Sequence, residues 1–226
     1  MFNIKFIGRV STEFPEKFGV PKQPQLAPAL KGVLSFIAPY NDPNYLKGLE
    51  SCSHIWVLFY FHLNKTHFGT TIRPPVLGGA QRMGIFSTRS PHRPNPIGLS
   101  LLKIDSIDLN LSEVRVSGHD LVNDTPIIDI KPYVESYDSP RDPSHHWSDD
   151  LDQTPLTVAW SEHALSDLNN FKIENLKDTI EQVLRLDPRP RSKEMEAQFG
   201  FYFKGFNIIF QGEKSGLKVK QIIKTN

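Results

Sequence analysis

The first 133 residues are cut into short apolar pieces, and that limits the possible folds more than any other property of the chain. Segments 2–10, 32–37, 53–62, 82–89, 98–110, 112–121 and 125–133 are rich in branched and aromatic residues. Several alternate in polarity, and Gly, Pro, Asn and Asp separate them. Only 43–50 reads as a short helix. Short strands with turn signals between them predict a sandwich or a closed barrel. The proline-rich stretches 15–28 and 90–96 are predicted loops, because proline cannot donate to a ladder and biases the residue before it to extended geometry.

From 135 to 155 the composition turns polar and acidic, which predicts a linker or surface loop. Beyond it come a strand at 156–160, a helix opened by Ser161, and a second helix at 175–186. In that second helix Leu176, Ile180, Val183 and Leu184 share one face. Strands near 199–203, 206–211 and 217–223 complete the unit. The expected architecture is mainly β: a sandwich or barrel domain at 1–137, a linker at 138–154 and a small α+β domain at 155–226.

The totals narrow the class. Hydrophobic residues make up 38% and charged residues 23% of 226, ordinary for a core-forming protein. No apolar run approaches the roughly 20 residues that a membrane-spanning helix needs. The start, MFNIKFIGRV, alternates and lacks the continuous apolar block of a secretory signal. Cys52 is the only cysteine, so there is no internal disulfide and no cysteine-rich metal site, and a reducing cytoplasm is the natural location. A net charge of +1 argues against non-specific coating of nucleic acid.

Against that balanced background, the charge is unevenly distributed. After Glu50 the next carboxylate side chain is Asp105. Between them lie Lys65, Arg73, Arg82, Arg89, Arg93 and Lys103, with four histidines. A solvated basic surface is one reading; an anionic partner gripped by planar arginine forks is the other.

Several familiar motifs are absent. Gly78, Gly79 and Gly84 lack the Gly-Lys-Ser/Thr of a phosphate loop, and Gly98-Leu99-Ser100 lacks the closing glycine of a nucleophile elbow. His145 and His146 are adjacent in an acidic stretch, a poor arrangement for sharing one metal. His119-Asp120 has the residue types of an acid–base pair, although neighbours on a strand point to opposite faces. There is no dinucleotide-binding glycine fingerprint.

Three pieces remain: VPKQP at 20–24, RMGIFSTRSPHRPNPIG at 82–98, and DLVNDTPIIDIKPY at 120–133. Each has a plain reading as a connector, a proline-stiffened turn or a β-turn. Together they closely resemble the TsaA-like family, also called YaeB or TrmO, whose characterised bacterial members are S-adenosylmethionine-dependent tRNA methyltransferases. The likeness runs through nearly the whole chain, including SHIWVLFYFH at 53–62 and VLRLDPRP at 183–190.

The resemblance implies a small, non-Rossmann β-barrel methyltransferase and a homodimer with S-adenosyl-L-methionine held near the subunit interface. It implies tRNA as partner, with methylation of the exocyclic amine of threonylcarbamoyladenosine 37 in threonine tRNA. Carried over by position, the cofactor contacts fall on Pro21, Lys22, Gln23, His62, Leu63, Arg89, Leu99, Asp120, Leu121, Val122 and Asn123. Asp120 is the first candidate to polarise or accept the amine proton, with His62 behind it, while Arg89 serves a carboxylate of cofactor or substrate. Arg73, Arg82, Arg93, Lys131, Arg189 and Arg191 are candidates for tRNA phosphates, and no metal is expected. The family often has Asp-Gly where this chain has Asn123-Asp124, and Arg where it has Lys22. A non-catalytic RNA-binding or regulatory protein on the same barrel is the competing reading.

Overall fold

A computed structural model of the chain describes residues 3–64, 69–74, 81–144, 154–189, 196–214 and 216–225. Three strands come first, β1 (Gly8–Ser11), β2 (Lys31–Phe36) and β3 (His54–Tyr60). The two-residue strands β4 (Thr71–Ile72) and β5 (Met83–Gly84) pair as a ribbon, and β6 (Ile97–Asp108), β7 (Glu113–Ser117) and β8 (Thr125–Pro132) follow. Six of them close an antiparallel barrel in the order β1-β2-β7-β6-β3-β8, with β1 returning to pair with β8. Closure leaves no unpaired edge. Alternate residues of the strands fill its interior, among them Ile55, Val57 and Phe59 of β3, Val114 and Val116 of β7, and Ile127 of β8.

The expected sandwich or barrel is therefore a barrel, but some expected elements are shorter. Of 82–89 only Met83–Gly84 pairs as strand; the chain then tightens into a 3-10 turn at Ile85–Ser87, closed by Thr88 bonding back to Ile85. The expected helix at 43–50 is two 3-10 turns, Pro43–Leu46 and Leu49–Ser51, separated by Gly48 in left-handed geometry. The strand expected over 112–121 stops at Ser117, because Gly118 takes a positive φ of 71° and turns the chain out of the ladder. Within 138–154 the residues 145–153, His145 and His146 included, lie outside the described part. One helical turn, α1 (Glu135–Asp138), precedes them and buries nothing.

The second unit has β9 (Thr157–Trp160), α2 (Glu162–Phe171), α3 (Leu176–Arg185), β10 (Gln198–Phe203), β11 (Phe206–Glu213) and β12 (Gly216–Lys224). Ser161 caps α2 by accepting the Ala164 amide at 3.1 Å. The sheet order is β10-β11-β12-β9, with β9 parallel to β12. Leu176, Ile180, Val183 and Leu184 of α3 enter its core, as their spacing predicts. No helix among the described residues is long and apolar enough to cross a membrane.

Phe14, Ala27 and Leu30, from the connection between β1 and β2, are also in this second core. The connection leaves the barrel, inserts three apolar side chains under the carboxy-terminal sheet and returns. Full burial of Phe14 and Leu30 contributes roughly 2 kcal/mol each. Gly19 permits the closest approach: its φ is 92°, and a Cβ there would lie 2.7 Å from the Phe201 ring. We expect Gly19→Ala to lower the unfolding free energy by about 2–3 kcal/mol in urea titrations, combining a positive-φ penalty with overpacking.

Candidate functional site

Two loops build the site, residues 12–30 and residues 118–124. Their backbones are zipped together: Gln25 donates to the Gly118 carbonyl at 2.7 Å, Gly118 to Leu30 at 2.9 Å, and Asn123 to Phe14 at 2.8 Å. Thr12 completes the seam, its amide donating to Asn123 Oδ1 at 3.0 Å and its hydroxyl to the Leu121 carbonyl at 3.1 Å. Buried backbone groups in a loop need such partners, so each loop satisfies the other.

His119 and Asp120 turn in opposite directions at the end of this seam, and they do not pair. His119 is fully buried; its Nε2 lies 3.1 Å from the Lys31 carbonyl, and its Nδ1 receives the Leu121 amide at 3.3 Å. Burial pushes its pKa down to about 4, so at neutral pH it is uncharged, with the proton on Nε2. Asp120 faces the barrel end, where the hydroxyl of Ser100 donates to its Oδ1 at 2.6 Å. Ser100 itself is 1% exposed. Burial pushes the Asp120 carboxyl up to about 6, against the opposing pull of the Ser100 bond and the Arg89 charge. Among the described residues Asp120 has no ion pair within 4 Å.

An open pocket of about 200 Å³ lies beside this carboxyl. One wall is Asp120, Leu121 and Val122, a second is Val20 and Pro21, and a third is the run from Phe59 to Asn64. Phe59 closes the barrel beneath it by lying flat on Gly98, where a Cβ would come within 2.2 Å of the ring. Lys17 spans the mouth, donating to the Leu63 carbonyl and to Asn64 Oδ1, each at 3.3 Å, and Asn64 donates to the Pro91 carbonyl at 3.2 Å. His62 is half-buried, and desolvation with the nearby Arg9 charge holds its pKa below the usual histidine value.

Six of the residues expected from sequence thus meet at one pocket: Pro21, His62, Leu63, Asp120, Leu121 and Val122. The others are placed differently. Lys22 turns to the Asp187 carbonyl of the carboxy-terminal unit at 3.4 Å, while Gln23 accepts a hydrogen bond from Arg89 at the rim. Asn123 uses its side-chain oxygen in the seam with Thr12. Asp124 takes a positive φ of 60°, which explains why glycine suits that position. Leu99 is 55% exposed on the outer barrel surface, across from Leu58. Arg73 and Arg82 are exposed, Arg82 donating to the Thr71 hydroxyl at 3.0 Å. Lys131 pairs with Asp129 at 2.9 Å.

Arg93 is turned inward, donating to the Ile85 and Thr88 carbonyls at 3.1 and 2.8 Å. Arg189 grips Asp187 through two nitrogens at 2.7 and 3.0 Å, with its side chain only 15% exposed. Arg191 lies outside the described residues. Sequence reasoning missed Lys17, Asn64 and Ser100. Ser100 alone carries a legible signal, as a polar residue on the inward phase of β6 between Gly98 and Leu102.

Barrel, loop-built pocket and appended α+β unit define a barrel protein with an open pocket at strand ends and loops, and with no doubly wound sheet among the described residues. Residues 9–139 match the tRNA-methyltransferase O N-terminal domain and residues 153–225 the TrmO C-terminal domain, so the chain belongs to that family. A tRNA (adenine(37)-N6)-methyltransferase of Escherichia coli K12 is 35% identical over 96% of each chain. A protein of Pseudomonas aeruginosa named as a candidate S-adenosylmethionine-dependent methyltransferase is 39% identical over 84% of this chain and 79% of its own. The crystal structure of TrmO from Pseudomonas aeruginosa superposes with a TM-score of 0.80 at 30% identity, covering 98% of both chains.

The residues present fit S-adenosylmethionine. Leu63, Leu121, Val122 and Pro21 offer apolar walls to a nucleoside, Lys17 a cation to a carboxylate, and Asp120 a negative charge to a cationic group.

An ionised carboxyl this desolvated is costly even with the Ser100 hydroxyl and its own backbone amide as partners. A rise from 3.8 to about 6 corresponds to roughly 3 kcal/mol, which favours folding below the unfolded pKa and is lost as pH rises through 6. We expect Asp120→Asn to raise stability at pH 7.5 by about 1–3 kcal/mol and to give no gain at pH 3.5, measured by denaturant titration. A destabilised variant at pH 7.5 would contradict the buried charge.

Proposed function

We propose that this protein transfers the methyl group of S-adenosyl-L-methionine to the exocyclic amine of adenine 37 in tRNA, and that its substrate is the threonylcarbamoylated base of threonine tRNA in the cytoplasm. Membership of the tRNA-methyltransferase O family supports the cofactor and the reaction. The observation that carries the reading is Asp120, a half-buried carboxylate with no ion pair among the described residues, in the wall of an open pocket.

The cofactor supplies an electrophilic methyl group on a positively charged sulfur. The chain supplies alignment, exclusion of water and a proton acceptor. The pocket walls fix the donor against the floor, and Phe59 on Gly98 seals the barrel below it. Asp120, titrating near 6, is ionised at neutral pH and accepts the proton that the adenine amine sheds as its nitrogen forms the new bond. His62, held neutral at the pocket wall, is next in line for that proton. Arg89, exposed at the rim and oriented by Gln23, faces the carboxylate of the threonyl group.

A homodimer follows from the same reading. Leu99 and Leu58 are neighbours on the outer barrel face, and a second copy seated there brings Leu99 towards a pocket that it does not line within its own chain.

Arg89→Ala and Asp120→Ala are expected to abolish methyl transfer while the barrel stays folded, read by nucleoside mass spectrometry of threonine tRNA and by circular dichroism. Full activity in both variants would remove the assigned site. Because a cation is best received by the ionised carboxylate, S-adenosylmethionine affinity should fall about tenfold from pH 7.5 to pH 5 by calorimetry, and the fall should vanish in Asp120→Asn. A pH-independent affinity in the wild type would separate Asp120 from the cofactor's charge.

A further inference from the structure

Phe86 exposes 77% of its surface. A single exposed aromatic residue needs no explanation in general; here the turn beneath it does. Ile85 is buried and its amide donates to the Thr70 carbonyl at 3.0 Å. The Ile85 carbonyl accepts three hydrogen bonds, from the Thr88 amide, the Thr88 hydroxyl and Arg93. Arg93 adds a bond to the Thr88 carbonyl, and its guanidinium carbon stands 5.7 Å from the centre of the Phe86 ring. A turn this heavily anchored, ending in a ring held out to solvent, is built to present that ring. Arg93 polarises one side of it, and the exposure leaves the other side open to a flat partner.

The surroundings select the partner. Arg89 lies three residues on from Phe86 in the same segment, bonded to Gln23, and its charge acts on Asp120 in the pocket wall. Arg73 and Arg82 are exposed on the adjoining ribbon, and no carboxylate side chain occurs between Glu50 and Asp105. An aromatic platform among unopposed cations is how single-stranded nucleic acid is held: bases stack, and phosphates meet the charges. A base that reacts in a pocket must leave its stack, which frees the face of its neighbour.

Given the tRNA reading above, we propose that Phe86 is a stacking platform for the nucleobase next to the methylated adenine, with Arg93 as the fixed support behind the ring. The test uses the full chain and a threonine-tRNA anticodon stem-loop, with binding followed by fluorescence anisotropy. Phe86→Ala should weaken RNA binding about tenfold and Phe86→Leu about as much, because a branched aliphatic chain does not stack. Phe86→Trp should bind within twofold of wild type, with its indole emission quenched by the RNA. S-adenosylmethionine binding should be unchanged in all three.

Binding of Phe86→Ala within twofold of wild type, or full rescue by leucine, overturns the proposal. A loss in Phe86→Ala that coincides with dissociation of a dimer in sedimentation assigns the ring to a contact between copies and overturns it as well. Stacking and the proposed reaction fail separately: wild-type protein that binds the stem-loop through Phe86 but transfers no methyl group removes the reaction and keeps the platform.

Discussion

The seam between residues 12–30 and 118–124 is the constraint on which the rest of the structure depends. It is made mostly of main-chain groups, which would be costly to bury unpaired. On one side it lets Phe14, Ala27 and Leu30 complete the carboxy-terminal core. On the other it holds Pro21 against Leu121 and Val122, which form two walls of the pocket. Stability of the appended unit and geometry of the site are therefore set by the same hydrogen bonds. The appended unit acts as a clamp on the loop that shapes the pocket, and Lys22, reaching from that loop to Asp187, strengthens the clamp.

His119 and Asp120 show how one dipeptide serves both halves. The imidazole is spent on structure, neutral and bonded at both nitrogens, tying the loop to the start of β2. The carboxyl is left under-compensated, with Ser100 as its only side-chain hydrogen-bond partner among the described residues. A desolvated charge with too little compensation is unfavourable for folding, and the proposed reaction gives it a use: a cationic donor restores the missing charge, and the carboxylate accepts a proton. Their pH effects on stability also oppose. Between about pH 4 and 6.5, acidification weakens folding through His119 and strengthens it through Asp120.

The acid-free window divides into separate jobs once its folding is seen. Arg93 is a framework residue, its Nη1 bonded to two carbonyls of a tight turn. Arg89 is exposed, bonded to Gln23, and its charge acts on Asp120. Arg73 and Arg82 remain on the surface, beside Phe86. Fewer exposed cations thus remain than the window contains, and part of the local charge goes into holding a proline-stiffened turn.

Short apolar pieces separated by turn residues determined a strand-rich domain, sandwich or barrel, because a period of two and frequent Gly, Pro, Asn and Asp leave few other ways to bury those side chains; closure between β1 and β8 was decided by the tertiary structure. The spacing of Leu176, Ile180, Val183 and Leu184 determined a helix and its buried face. Long motifs marked the pocket residues from 20–24, from the end of β3 and from 120–122. What the sequence left open depends on contacts between distant positions. Whether Asn123 faced a ligand or Thr12, whether Arg93 faced solvent or two carbonyls, and whether Leu99 faced the pocket or the outside are set by strand register and loop pairing. So is the sharing of the second core with Phe14 and Leu30, more than 120 residues before the sheet they support. Local pattern reports which side of an element is apolar; only the closed tertiary structure decides what that side meets.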